Sequence, residues 1–231
     1  MAHSRSTSRA TVLPVLAGAL IASTAHAETY HVDPGGSDGA TGLSGAPWAT
    51  LQHAADQVVA GDTVMVAAGT YVGFALTTGG TDGSPITFQA AEGVTVDTDN
   101  GSTPDGINVE GADYVVIEGF NLVGLTRAGI RCALSNFVTI RNNTAADNGV
   151  WGIFSGFCDD ILVEANDCSG SVDEHGVYVS NSADRPTVRG NVLWNNNANG
   201  LHMNGDSGMG GDGVIEEALV EGNIIFGNGN G

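Results

Sequence analysis

The sequence contains no lysine; its seven basic residues are all arginine, set against 26 aspartates and glutamates. A chemistry that needs a lysine base or a lysine Schiff base is therefore excluded from this chain. Cysteine is scarce, at three, which excludes a disulfide-dense scaffold. Those three are Cys132, Cys158 and Cys168. They allow one disulfide, with Cys132–Cys158 the best-placed pair, or three small buried residues. Beyond residue 24 no apolar run is long enough to cross a bilayer as a helix.

The first 27 residues read as a signal peptide. Arg5 and Arg9 precede an apolar run over Thr11–Thr24, and Ala25-His26-Ala27 is a small-x-small cleavage site. Removing them leaves five arginines against 26 acids, a net charge of 5 − 26 = −21. Such an acidic chain, expected to be secreted or surface-bound in a bacterium, is a poor partner for nucleic acid or an anionic membrane. An acidic polysaccharide would need a local arginine cluster or a bridging Ca²⁺. A monomer is the expected state.

What the chain has in abundance is glycine, 35 residues, and it recurs in step. Gly106-Ile107, Gly129-Ile130, Gly152-Ile153, Gly176-Val177 and Gly200-Leu201 are spaced by 23, 23, 24 and 24 residues. A second apolar pair, ending at Ile117, Ile140, Val163, Val188 and Val220, steps by 23, 23, 25 and 32. Asn143, Asn166, Asn191 and Asn223 each follow that pair by three residues. Period-2 apolar segments of this length cannot bury a face alone; stacked coils about 4.8 Å apart line them into one core. The expected fold is all-β: a single-stranded right-handed parallel β-helix of about seven coils over 63–231. The asparagines are expected to stack in turns, adopting the left-handed conformation. Glu118, Arg141, Glu164, Arg189 and Glu221 form an outward ladder of alternating charge, read as structural. Asp159-Asp160 reads as an Asx turn.

Residues 28–62 are expected to cap the N-terminal end. Leu51, Ala54, Ala55 and Val58 share one face of a helix predicted over 48–60, followed by a first strand at 63–67. The sequence stops at Asn230-Gly231, where the repeat calls for a new coil, so a longer natural protein is expected.

Tyr30-His31-Val32-Asp33-Pro34-Gly35-Gly36-Ser37-Asp38-Gly39, the segments 46–54 and 61–71, and Pro85-Ile86-Thr87-Phe88-Gln89 carry a resemblance. Together they resemble the N-terminal cap and first coils of secreted bacterial β-helix proteins of the pectate-lyase-like superfamily. The resemblance implies the fold and a range of activities on polysaccharides: lyases, mannuronan epimerases and polygalacturonases. Several lyase families of this kind use a lysine base, which this chain lacks. The paired aspartates of the hydrolases have no clear counterpart.

The repeat also predicts one candidate face. Its outward positions run Asn108, Arg131, Phe154, Tyr178, His202 and Glu110, Ala133, Gly156, Ser180, Asn204. Tyr178 and His202 are candidate base and acid for β-elimination on a uronate, with Arg131 to neutralise the carboxylate. Phe154, His175, Asn181, Arg185 and Asn204 are candidate substrate contacts. His175 sits where other coils carry Ala128, Trp151 and Asn199, so the coil itself does not require histidine there. The glycine-rich insertion 205–213 brings Asp206 and Asp212, which with Asp173 or Glu174 from the coil before would offer oxygen ligands to Ca²⁺. The function expected is binding or processing of an extracellular polysaccharide, as a lyase or epimerase. The alternatives are a non-catalytic binding module and a calcium-stabilised spacer.

Overall fold

The computed structural model describes Met1, His3 and residues 26–229. The signal peptide expected over 1–27 lies almost wholly outside the described residues. The rest winds as a parallel β-helix built from three long parallel sheets of eight, six and seven strands. The six-stranded sheet, Phe74–Leu76 through Leu201–Asn204, sets six complete coils. Leu219–Glu221 and Ile224–Phe226 add two strands of a seventh. Every inward position of the two predicted apolar segments from Ile107 to Val188 is buried. Cys132, Cys158 and Cys168 are free and buried; the first two face each other with sulfurs 3.5 Å apart.

The repeated glycines serve close approach. A Cβ on Gly129, Gly152 or Gly176 would lie 2.6–2.8 Å from the carbonyl oxygen of the glycine one coil on. No side chain fits between coils there, so the spacing of these glycines reports the coil length.

The asparagine ladder forms as expected but not in the expected conformation. The Oδ1 of Asn166, Asn191 and Asn223 accepts the backbone N–H and the side-chain Nδ2–H of the asparagine one coil earlier, as Asn166 does from Asn143 at 3.0 Å each, while Asn143 Oδ1 accepts the N–H of Phe120. Each Nδ2 also donates to a carbonyl in the coil before. The left-handed residue is the one before: Gly119, Asn142, Ala165, Gly190 and Gly222 all have positive φ. That residue turns the corner and frees its neighbour to point inward. A second ladder, Asn148, Asn196 and Asn228, does the same at the next corner.

Asp159 is a ladder residue rather than an Asx turn: its Oδ1 accepts from Asp184 N, and its own N–H goes to Asn136 Oδ1. The charge ladder closes into pairs. Arg141 bonds Glu118, and Arg189 bonds Glu164, each arginine reaching one coil back.

The cap differs in extent from its expectation. The helix spans Leu51–Gln57, shorter than 48–60, because Thr50 caps it at His53 N. Asp38 holds the N–H groups of Ala49 and Thr50 outside the helix. The segment also supplies a strand, Thr29–Val32, parallel to Thr63–Val66. Gln52 closes the exposed edge of the six-stranded sheet: its amide bonds both the N–H and the carbonyl of Ala75.

Candidate functional site

The six-stranded sheet carries the predicted face in the predicted register. Asn108, Arg131, Phe154, Tyr178 and His202 are consecutive partners across the strands Ile107–Glu110, Ala128–Ala133, Trp151–Gly156, Val177–Ser180 and Leu201–Asn204. Small residues in the next outward row leave a shelf beside them. The Phe154 ring lies over Gly156, where a Cβ would stand 3.0 Å from it.

On that shelf the upper coils gather rings. Phe154 meets Tyr178 edge-on at 5.6 Å, and Tyr178 stacks on His202 at 4.9 Å. Trp151 packs against Phe154 at 4.7 Å, and its indole N–H donates to Glu174 at 2.7 Å. His175 closes the group, edge-on to both Tyr178 and His202. Asn204 reaches the Tyr178 hydroxyl at 3.4 Å.

The two histidines are joined by a short hydrogen bond, His175 Nε2 to His202 Nδ1 at 2.6 Å. Its direction follows from the backbone. Asn199 N–H donates to His175 Nδ1 at 3.1 Å, so that nitrogen carries no proton. A neutral His175 then holds its proton on Nε2 and gives it to His202 Nδ1. His202 in turn carries its own proton on Nε2. The pair is therefore a directed chain ending in an N–H donor on the ring that stacks on Tyr178. A second proton would set two N–H groups against each other.

Burial, and next the neighbouring His202, hold the His175 imidazole below its usual range; Glu174, 3.7 Å away, opposes this in part. Unfolding frees His175 to take up a proton below about pH 6.5, which the folded chain refuses. Stability is thus full above that pH and falls as pH drops toward 5, by at most about 1.4 kcal/mol per pH unit. Urea unfolding at pH 7.5 and 5.5 measures the loss, and His175→Asn is expected to shrink it.

The other predicted residues are placed elsewhere. Arg131 shares the face but lies two coils from Tyr178, about 10 Å at the usual strand spacing. Its Nη1 donates to Asn108 and Glu110, at 2.8 and 2.9 Å. Arg185 is outside the ring cluster, at a left-handed corner, bonded through two nitrogens to Asp160. Asn181 is a buried corner residue with positive φ.

The calcium set does not gather. Asp206 caps its own turn at Gly208 N, and Asp212 accepts from Val214 N. Among the described residues no three His, Cys, Asp or Glu side chains are grouped to hold a metal ion. Trp151 and Asn199, read in the sequence only as turn residues, contribute from the position just before the repeated glycine, Trp151 with its indole and Asn199 with its backbone N–H; Glu174, read as a possible calcium ligand, contributes from the position before His175.

A family model described as the Pel9A-like right-handed beta helix region matches residues 30–184. Protein YwoF of Bacillus subtilis, itself uncharacterised, is 30% identical over 208 residues, covering 77% of this chain and 44% of that protein. Pectate lyase PEL9 of Emericella nidulans is 37% identical over 81 residues, 34% of this chain and 20% of that one. The chain thus spans less than half the length of these curated relatives. Among solved structures, pectate lyase Pel9A superposes with a TM-score of 0.71 at 20% identity, over 87% of this chain and 54% of that one. An alginate lyase from Paenibacillus sp. gives 0.58 at 19% identity, over 85% and 75%. At these identities the likeness is one of fold.

Proposed function

This chain belongs to the Pel9A-like right-handed β-helix family, and on that footing we propose that it processes an extracellular polysaccharide on the outer face of the six-stranded sheet. Relatives in the comparison act on pectate, and a structure of the same fold acts on alginate. The observation that carries the proposal is the hydrogen-bonded pair His175–His202, set against Tyr178 on an aromatic shelf. Sugar rings stack on aromatic faces through their axial C–H groups, and Trp151, Phe154 and Tyr178 supply three on adjacent coils.

The chemistry that suits this site is β-elimination on a uronyl unit. In this scheme the Tyr178 oxygen takes the C5 proton. The C4–O4 bond breaks, C4=C5 forms, and Tyr178 returns the proton to O4. The Nε2–H of His202 is placed to hold negative charge developing on the C6 carbonyl oxygen. Asn204 positions the phenol.

A non-catalytic glycan-binding module is the second reading, favoured by the arginines of the described residues, each held in an ion pair. Incubation of the full chain with polygalacturonate, alginate and their esters, followed by absorbance of new unsaturated uronates, separates the two. Product formation supports elimination. Binding without product leaves the module.

A further inference from the structure

We propose that Cys132 and Cys158 close into a disulfide that staples two adjacent coils, formed by exchange with a disulfide-bearing oxidant before those coils shut. The link lies beneath the candidate face and does not depend on what that face binds.

The two thiols are 26 residues apart and come from different rows of the core. Cys132 stacks in the strand ladder between Val109 and Ser155. Cys158 belongs to the corner that follows the strand. Phe157 turns there with φ of 57°, and the next side chain points inward. Ser135 holds the same place one coil earlier, after Leu134 with φ of 53°. Both make the same bond: Ser135 Oγ donates to the Ala133 carbonyl at 2.8 Å, and Cys158 Sγ to that of Gly156 at 3.4 Å. A hydroxyl therefore satisfies this corner, and the thiol adds something the fold does not require. It sets its sulfur 3.5 Å from that of Cys132. Closing to a bond of about 2.05 Å needs a shift of about 1.5 Å, shared between two side chains. Cys168 is placed differently, on the seven-stranded sheet, with Ala145 and Leu193 as its ladder neighbours.

The pair is also chemically unequal. Cys158 donates to Gly156, so the proton in the sulfur–sulfur contact belongs to Cys132. That contact, with the Ser135 N–H adding to it, holds the Cys158 thiol below its usual range against the effect of burial. The same contact, and then burial, push Cys132 well up. Cys158 is therefore the attacking thiolate and Cys132 the resolving thiol. The Cys158 sulfur bonds to one sulfur of the oxidant, whose S–S bond breaks. One half leaves as a thiol, taking up the proton that Cys158 released. Cys132 then bonds to the Cys158 sulfur, and the second half leaves with the Cys132 proton. Two cysteine thiols lose two electrons and two protons, and one disulfide becomes two thiols. Oxidants of this class are what an exported chain meets. Both sulfurs are fully buried, so exchange takes place while the coils are open.

The test refolds the full chain from urea in oxidised glutathione and, separately, in dithiothreitol. Thiols are counted in denaturant, bound glutathione is checked by mass, and melting is followed by circular dichroism. The reduced chain is expected to show all three thiols. The oxidised chain is expected to show one, with no glutathione attached and Tm higher by roughly 5–10 °C. The native reduced chain is expected to resist the same oxidant until urea is added. Cys158→Ser, for which Ser135 is the precedent, is expected to lose the redox-dependent shift. Three thiols after oxidative refolding would overturn the proposal, as would glutathione held on either cysteine or a link through Cys168 found by peptide mapping. A Cys132–Cys158 link that leaves Tm unchanged would overturn its role as a staple. If Cys158→Ser does not fold, thiol count and melting of the unaltered chain decide.

Discussion

Tyr178→Phe is expected to lower turnover of the processed polysaccharide by about 10²–10⁴-fold, while leaving its binding within a few fold. The hydroxyl is the atom that moves the proton, whereas the ring does the stacking. Phenylalanine keeps the ring contacts with His202 at 4.9 Å and Phe154 at 5.6 Å. The only bond lost is the long one from Asn204, so the fold is not at stake. Kinetics at saturating polymer show the loss in kcat and spare KM. A fall in KM-limited rate alone, with kcat intact, would reduce Tyr178 to a binding residue. His202→Ala is a weaker test, because it also strands the Nε2–H of the buried His175.

Asn166→Ala is expected to cost roughly 3–5 kcal/mol of unfolding free energy, among the largest effects any single side chain here can show. The substitution strips the acceptor from both Asn143 N–H and Asn143 Nδ2. It also removes the donors to Ile140 O and Asn191 Oδ1. All of this lies in the interior, where water cannot replace the lost partners. The neighbouring change Ala165→Gly has the opposite sign. Ala165 holds φ at 54°, a conformation in which a Cβ is strained, and the matching residues of other coils include Gly119, Gly190 and Gly222. A gain of up to about 1 kcal/mol is expected. Urea unfolding of the two variants measures both. If the ladder asparagine were the left-handed residue, Ala165→Gly would bring no gain.

The fold was legible because its signals repeat. A glycine forced by a carbonyl one coil away recurs at the coil length, and the apolar pairs lock to it. That register placed Asn108, Arg131, Phe154, Tyr178 and His202 in one row, as the structure has them. What a register does not carry is side-chain direction. His175 and His202 are 27 residues apart, one coil plus three, and their ring-to-ring bond depends on how far each leans from its strand. The same limit hid Trp151 and Asn199, whose positions read only as turn, and the bond that Glu174 accepts from the Trp151 indole. Arg185 was misplaced for a related reason: a corner residue looks exposed in an alignment, yet Asp160 stands one coil below it at the same corner. Of the calcium residues, Asp206 and Asp212 each accept a backbone N–H within their own turn, and among the described residues no three candidate ligands stand together.

The location of the glycan is the central claim, and tryptophan fluorescence tests it most directly. Trp48 is buried in the cap, Trp151 is on the candidate face, and Trp194 is exposed on the seven-stranded sheet. In a Tyr178→Phe background, titration with methyl-esterified polygalacturonate, or the polymer of the panel that is cleaved, is followed in Trp194→Phe and in Trp151→Phe. The fluorescence change is expected to persist in Trp194→Phe and to vanish in Trp151→Phe. A change that vanishes only with Trp194→Phe would put the polymer on another sheet and contradict the account.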